Sequence, residues 1–154
     1  MREATERIFD PSNLCQIGII VKNIDETLKY YQETFGMGPF DVRVVDYPTA
    51  SYFGETAGYR GKRAFFHLGT IEVELIELID GKTIHEAFLK EKGEGLHHIG
   101  FKVKDLGQAM EAAHRQGLRV IQHFLREDGS GFAYLDSDKK GGVIFELLVY
   151  PSKK

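Results

Sequence analysis

Cysteine is almost missing from this chain. Cys15 stands alone among 154 residues, so no internal disulfide forms, and packing must hold the fold together, as expected of a reducing compartment. Beside the start of a strand, Cys15 reads as a small packed side chain. A block of like charge is missing too. The net charge of −3 comes from acids and bases interspersed along the chain, which argues against nucleic acid or an anionic membrane as the main partner. Nor is there a long apolar run at the amino end. Residues 1–10 alternate charges without an apolar core, so neither a signal peptide nor a membrane span is expected there, and the cytoplasm is the expected location. What the chain does have is apolar material, 42% with 12% aromatics, enough for an ordinary core in a chain of single-domain length.

The chain also repeats itself. Residues 16–24 (Gln16-Ile17-Gly18-Ile19-Ile20-Val21-Lys22-Asn23-Ile24) return, slightly altered, as residues 98–106 within Leu96-His97-His98-Ile99-Gly100-Phe101-Lys102-Val103-Lys104-Asp105-Leu106. At one constant offset Gln16 falls on His98, Gly18 on Gly100 and Lys22 on Lys104. Each copy has apolar residues at every second place (Ile17, Ile19, Val21; Ile99, Phe101, Val103), then a polar turn, then a segment of helical period. Two such units predict one domain over residues 1–154, built from modules at about 13–80 and 95–150.

In chain order, a polar lead-in ends at the turn-prone Pro11-Ser12-Asn13, and a strand follows over 14–21. Asn23 or Asp25 caps a helix carrying Ile24, Leu28, Tyr31 and Phe35, which Gly36 and Gly38-Pro39 stop. A strand over 40–45 precedes a Gly-, Tyr- and Pro-rich stretch, 46–62, expected as a loop over a pocket. Strands over 63–68 and 71–79 flank a Gly69-Thr70 hairpin turn. Residues 83–92 form a short helical linker. The second module repeats the plan, with a strand over 97–103, a helix over 106–116, and strands over 119–125, 132–136 and 143–149. The predicted class is α+β: two tandem βαβββ modules forming a curved mixed sheet cup with the helices outside.

Glu146 is a lone carboxylate in the apolar strand Val143-Ile144-Phe145-Glu146-Leu147-Leu148-Val149, sharing a face with Ile144 and Leu148. Burying it unpaired is costly, so a cation, an arginine or a metal must satisfy it. Glu74 holds the corresponding place in the first module. If the modules pack about a pseudo-twofold axis, Gln16, Glu74, His98 and Glu146 converge. Three oxygen donors and one imidazole suit a borderline divalent ion such as Zn²⁺, Co²⁺, Ni²⁺ or Mn²⁺, and Gly18 and Gly100 leave room beside it for a ligand.

The phrases Gln16-Ile17-Gly18-Ile19-Ile20-Val21-Lys22, Tyr30-Tyr31-Gln32-Glu33-Thr34-Phe35-Gly36, Leu96-His97-His98-Ile99-Gly100-Phe101 and Gly142-Val143-Ile144-Phe145-Glu146-Leu147 resemble the vicinal oxygen chelate (glyoxalase/bleomycin resistance/dioxygenase) superfamily. Within it the chain looks most like methylmalonyl-CoA epimerases, with glyoxalase I more distant. The resemblance implies a divalent metal at Gln16, Glu74, His98 and Glu146, and a homodimer. It also implies a metal-dependent isomerase that removes a proton α to a thioester carbonyl, with Glu146 or Glu74 as the acid–base group and an acyl-CoA as the small-molecule partner. A glyoxalase-type lyase acting on a hemithioacetal, and a metal-free ligand-binding protein of the bleomycin-resistance kind, are the alternatives. An iron dioxygenase is disfavoured, because Gln16 stands where a second histidine is wanted.

Plainer roles are expected elsewhere. Strand alternation turns His97 away from His98, toward packing or a backbone bond. His67, His85, His114 and His123 read as surface or satisfied histidines, and Lys62, Arg63, Lys139 and Lys140 as solvated turn residues, with contact to CoA phosphates as their functional alternative. Phe65, Phe66, Phe132 and Tyr134 read as core.

Overall fold

The computed structural model describes residues 6–152; the first five residues of the expected lead-in lie outside them. Ten strands form one mixed sheet: β1 (Leu14–Ile20), β2 (Asp41–Tyr47), β3 (Ser51–Tyr52), β4 (Glu55–Thr56), β5 (Tyr59–Leu68), β6 (Ile71–Gly81), β7 (Gly95–Lys102), β8 (Val120–Leu125), β9 (Gly131–Leu135) and β10 (Ile144–Val149). Three helices accompany them: α1 (Ile24–Phe35), α2 (Ile84–Lys92) and α3 (Leu106–Arg115).

The sheet order is β2-β5-β6-β1-β7-β10-β9-β8-β3-β4. The centre carries the repeat: β1 runs parallel to β6, β7 runs parallel to β10, and the two pairs meet through the antiparallel contact of β1 with β7. The ends explain the curvature. β2 lies at one edge of the sheet and β3 near the other, yet only Pro48, Thr49 and Ala50 separate them in the chain. A flat ten-stranded sheet cannot satisfy so short a connection, so it curls into a cup. The stretch 46–62, expected as a loop, thus divides into the end of β2, the β3–β4 hairpin paired with β8, and the start of β5.

The helices cover the outside, as expected of an α+β cup. Asn23 caps α1 by accepting from the Glu26 N–H at 3.0 Å, Asp25 and Glu26 complement its dipole, and Gly36 ends it at φ 66°. Its Ile24, Leu28 and Tyr31 pack with Ala64, Phe66, Val73 and Leu75. Asp105 caps α3 in the same manner, and the small Ala109 and Ala113 bring that helix close to Ala133, Leu135 and Leu147. A further apolar cluster, with Tyr59, Phe132, Tyr134, Ile144 and Leu148, lines the inside of the cup. The linker helix α2 contributes Ile84 to that inner cluster, and the Gln122 side chain accepts from the Ile84 N–H at 2.9 Å. α2 therefore closes one end of the cup instead of merely connecting the modules. Among the described residues no helix is long and apolar enough to cross a membrane.

Candidate active site

Strand register determines where the candidate side chains meet. Across the four central strands one row reads Glu74, Gly18, His98, and the row beside it reads Glu72, Gln16, Gly100, Glu146. Residues two apart share a face, so both rows open into the cup. Each row holds a glycine, and each glycine is filled from beside it. A Cβ on Gly18 would lie 1.9 Å from His98 Cε1, so the imidazole leans across that bare position. A Cβ on Gly100 would meet Leu148 Cδ1 at 2.8 Å, Gln16 Cβ at 3.1 Å and Glu146 Oε2 at 3.2 Å. The two glycines anticipated as ligand space are instead the space in which these side chains reach one another.

Gln16, His98 and Glu146 are brought together. Glu146 Oε2 lies 2.8 Å from His98 Nε2, and Gln16 Oε1 lies 3.1 Å from the same nitrogen. All three residues are at most 2% exposed. The Gln16 amide is held by its other end, because Nε2 donates to Glu72 Oε1 at 2.8 Å, which also accepts from the Tyr150 hydroxyl at 3.2 Å. Burial pushes the His98 imidazole down, but the carboxylate of Glu146, through its charge and close approach, outweighs this together with Glu74 and raises its pKa.

Glu74 faces the same cavity, but its nearest charge is Arg63, whose Nε lies 3.4 Å from Glu74 Oε1. Burial pushes the Glu74 carboxyl up to about 7, against the pull of Arg63, and the charge on Glu146 adds to the rise. Arg63 itself is 2% exposed, contrary to the solvated turn position expected of it. The reason is that β5 begins at Tyr59, so Arg63 sits in mid-strand facing inward; a Cβ on Gly61 would lie 2.2 Å from its Nη1.

Of two further histidines, one is satisfied below the surface and the other, His97, differs from expectation by meeting His98. His85, in the first turn of α2, is buried, with Nε2 3.1 Å from the Tyr134 hydroxyl. His97 is buried against Phe88, His85 and Tyr134, and its Nδ1 lies 3.0 Å from His98 Nδ1. His67 and His114 are exposed and His123 half-buried, as the sequence suggests. Phe65, expected in the core, is half-buried on the cavity wall, where Phe132 and Tyr134 also stand.

Gln16, Glu74, Arg63 and Glu146 line a cavity of about 220 Å³, with Arg43 and Arg126 also on its wall. The donors decide whether a divalent ion suits it. Atoms coordinated at roughly 2.1 Å keep about 3 Å between neighbours, the spacing that Gln16 Oε1, His98 Nε2 and Glu146 Oε2 already have. Glu146 Oε2 makes no hydrogen bond of good geometry despite its burial. These three residues fit an ion, while Glu74 is engaged by Arg63. Among the described residues no group of three or more His, Cys, Asp or Glu side chains is drawn together as metal ligands; the third donor here is the Gln16 amide.

A curled mixed sheet of two parallel strand pairs, with an imidazole and carboxylates facing into the cup, defines the class. The chain belongs to the glyoxalase/bleomycin resistance protein/dioxygenase superfamily, whose model matches residues 15–134. Among individual proteins it is similar to the uncharacterized protein YqjC of Bacillus subtilis (strain 168), 28% identical over 88% of this chain and 91% of that one. Among solved structures it resembles methylmalonyl-CoA epimerase from Mycobacterium tuberculosis, with TM-score 0.68 and 20% identity over 91% of this chain and 89% of that one. It also resembles a variant of the Streptomyces coelicolor methylmalonyl-CoA epimerase in complex with 2-nitronate-propionyl-CoA, with TM-score 0.67 and 23% identity over 91% and 98% of the two chains. At these identities the structural likeness carries the fold.

Proposed function

We propose that this protein is a metal-dependent isomerase that removes and returns a proton α to the thioester carbonyl of a small acyl-CoA, as a methylmalonyl-CoA epimerase does. The observation that carries the reading is the convergence of Gln16 Oε1 and Glu146 Oε2 on His98 Nε2, beside a cavity that Gln16, Glu146 and Glu74 line. Gln16, His98 and Glu146, joined by Glu74, would hold a divalent ion, which would supply Lewis-acid stabilisation of the negative charge that proton loss places on the substrate. The chain's own residues do the rest. Glu74, whose carboxyl burial pushes up to about 7 in the metal-free chain, is the carboxylate that accepts and returns the proton when it is not bound to the ion. Arg63 restrains that carboxyl when no substrate is present, and must release it before it can join the donors. Glu146, fixed beside His98, is the second catalytic carboxylate. Phe65, Phe132 and Tyr134 exclude water from the reacting carbon. The cavity holds an acyl group and leaves the nucleotide end of the thioester outside, where Arg43 and Arg126 suit its anionic oxygens. The reading takes residues 1–154 as one domain, each module supplying two donors, acting as a cytoplasmic homodimer.

The test is solvent deuterium incorporation at the α-carbon of methylmalonyl-CoA in heavy water, with protein stripped of metal and then reloaded with Co²⁺. Fast exchange that requires Co²⁺ supports the proposal. Bound Co²⁺ without exchange redirects the search to hemithioacetals and a glyoxalase-type lyase. Failure to take up any divalent ion points to a ligand-binding protein.

A further inference from the structure

Neighbouring residues on a regular strand point to opposite faces, so His97 and His98 would be separated by the sheet. The register of β7 against β1 shows why they are not. Gly18 pairs with His98 and Ile19 with Leu96, leaving His97 as an extra residue with no partner on β1. A β-bulge of this kind re-aims the side chain of the inserted residue. The His97 ring accordingly lies 5.4 Å from the ring of Tyr134, inside the cup, and 5.2 Å from the ring of His98. The contact is specific in its atoms: His97 Nδ1 stands 3.0 Å from His98 Nδ1, a distance that requires one proton between the two nitrogens.

We infer that His97 is a positioning residue for His98, and that the bulge in β7 exists to place it. The inference rests on the proposed role of His98 as a metal ligand. The bare face of Gly18 admits the imidazole and limits its tilt, but leaves open a half-turn of the ring that would exchange Nε2 for a carbon. The contacts of Glu146 and Gln16 with Nε2 disfavour that half-turn from one side of the ring, and the nitrogen-to-nitrogen bond disfavours it from the other. When His98 presents its Nε2 lone pair to an ion, its proton resides on Nδ1, and His97 Nδ1 is the acceptor for it. The other nitrogen of His97 makes no competing bond. Nε2 is buried with no hydrogen-bond partner among the described residues, so the contact through Nδ1 is the one that ties the ring to a polar neighbour there.

Two measurements test the inference. In the metal-free wild-type protein labelled with ¹⁵N at histidine, a scalar coupling between the two Nδ1 atoms across the hydrogen bond is expected; its absence overturns the inference, whatever the protein does with metals. Co²⁺ affinity, read by competition with a chelator, then compares His97→Phe with His97→Asn. The phenylalanine removes the acceptor and should weaken binding by about 10- to 100-fold. The asparagine offers an oxygen at the position of Nδ1 and should restore most of that affinity. Equal affinity in wild type and His97→Phe overturns the inference, as does equal weakening in both variants. If the wild type binds no Co²⁺, the metal reading fails, and the coupling alone decides whether His97 holds His98.

Discussion

Gly18 and His98 are register partners on adjacent strands, and the imidazole occupies the volume that any side chain at Gly18 would need. A methyl group there would lie 1.9 Å from His98 Cε1, too close for adjustment without moving the ring or the strand. Gly18→Ala should therefore destabilise the fold by roughly 1–3 kcal/mol, the usual cost of overpacking a core, and should displace His98 from Gln16 and Glu146. Urea denaturation reads the first effect and Co²⁺ affinity the second. Unchanged values for both would mean that the ring has another place to go.

Glu146 is 2% exposed and faces His98. Glu146→Gln keeps the shape but removes the charge, so Co²⁺-dependent deuterium exchange into methylmalonyl-CoA should fall by about 10²- to 10⁴-fold. Full exchange in this variant would remove Glu146 from the chemistry.

Arg63 carries the only charge of opposite sign in direct contact with Glu74 among the described residues. Breaking a buried pair from one side costs about 3–5 kcal/mol, and Arg63→Met should do so in a pH-dependent way. The folded-state pKa of Glu74 is already raised from 4.5 to about 7, so its stabilising share is fully present below 4.5 and lost as pH rises through 7. Without the lowering influence of Arg63 the rise is larger. The stability gap between variant and wild type should be widest at pH 8 and should narrow toward pH 5, by urea denaturation at both values. A gap independent of pH would assign Arg63 a purely steric role.

His85 supplies a change of opposite sense. Its burial, with the neighbouring His97, holds its pKa well below 6.5 in the folded state. The unfolded chain binds that proton more readily, so the stability that His85 contributes is present above 6.5 and is lost as pH falls. At one unit below the ordinary value the loss is about 1.4 kcal/mol. His98, whose pKa is raised, offsets part of this in the wild type, so the comparison with His85→Gln isolates it. That variant retains a nitrogen near the Tyr134 hydroxyl and should lose less stability between pH 7.5 and 5.5 than the wild type does.

How much of this was legible in advance depends on the kind of signal. The cup, its strands and helices, and the meeting of Gln16, His98 and Glu146 follow from period-two patterning and from a phrase repeated at a fixed offset. A polar residue in an apolar strand is conspicuous. Arg63 was not, because its role depends on β5 starting at Tyr59, within a stretch whose glycines and tyrosines read as loop. His97 escaped because alternation assumes an unbroken ladder, and the bulge at that residue breaks it. His85 read as a surface or satisfied histidine, and which of the two it is was hidden, since nothing local says that the first turn of α2 packs against the cup. Glu72 was hidden beside Glu74, although sharing its face was a usable hint that both open inward.

The pairing of β3 with β8 has a consequence for how the molecule comes into being. Ser51 aligns with His123, so a strand made early in synthesis pairs with one made about seventy residues later. Pairings of such long sequence separation carry a large loop-closure cost before they are rewarded, which places this chain among slower folders than a helical bundle of its size. A fragment ending at the linker helix lacks β8, one of the two partners of β3, and β7, one of the two partners of β1, and leaves those strand borders exposed to association with other chains.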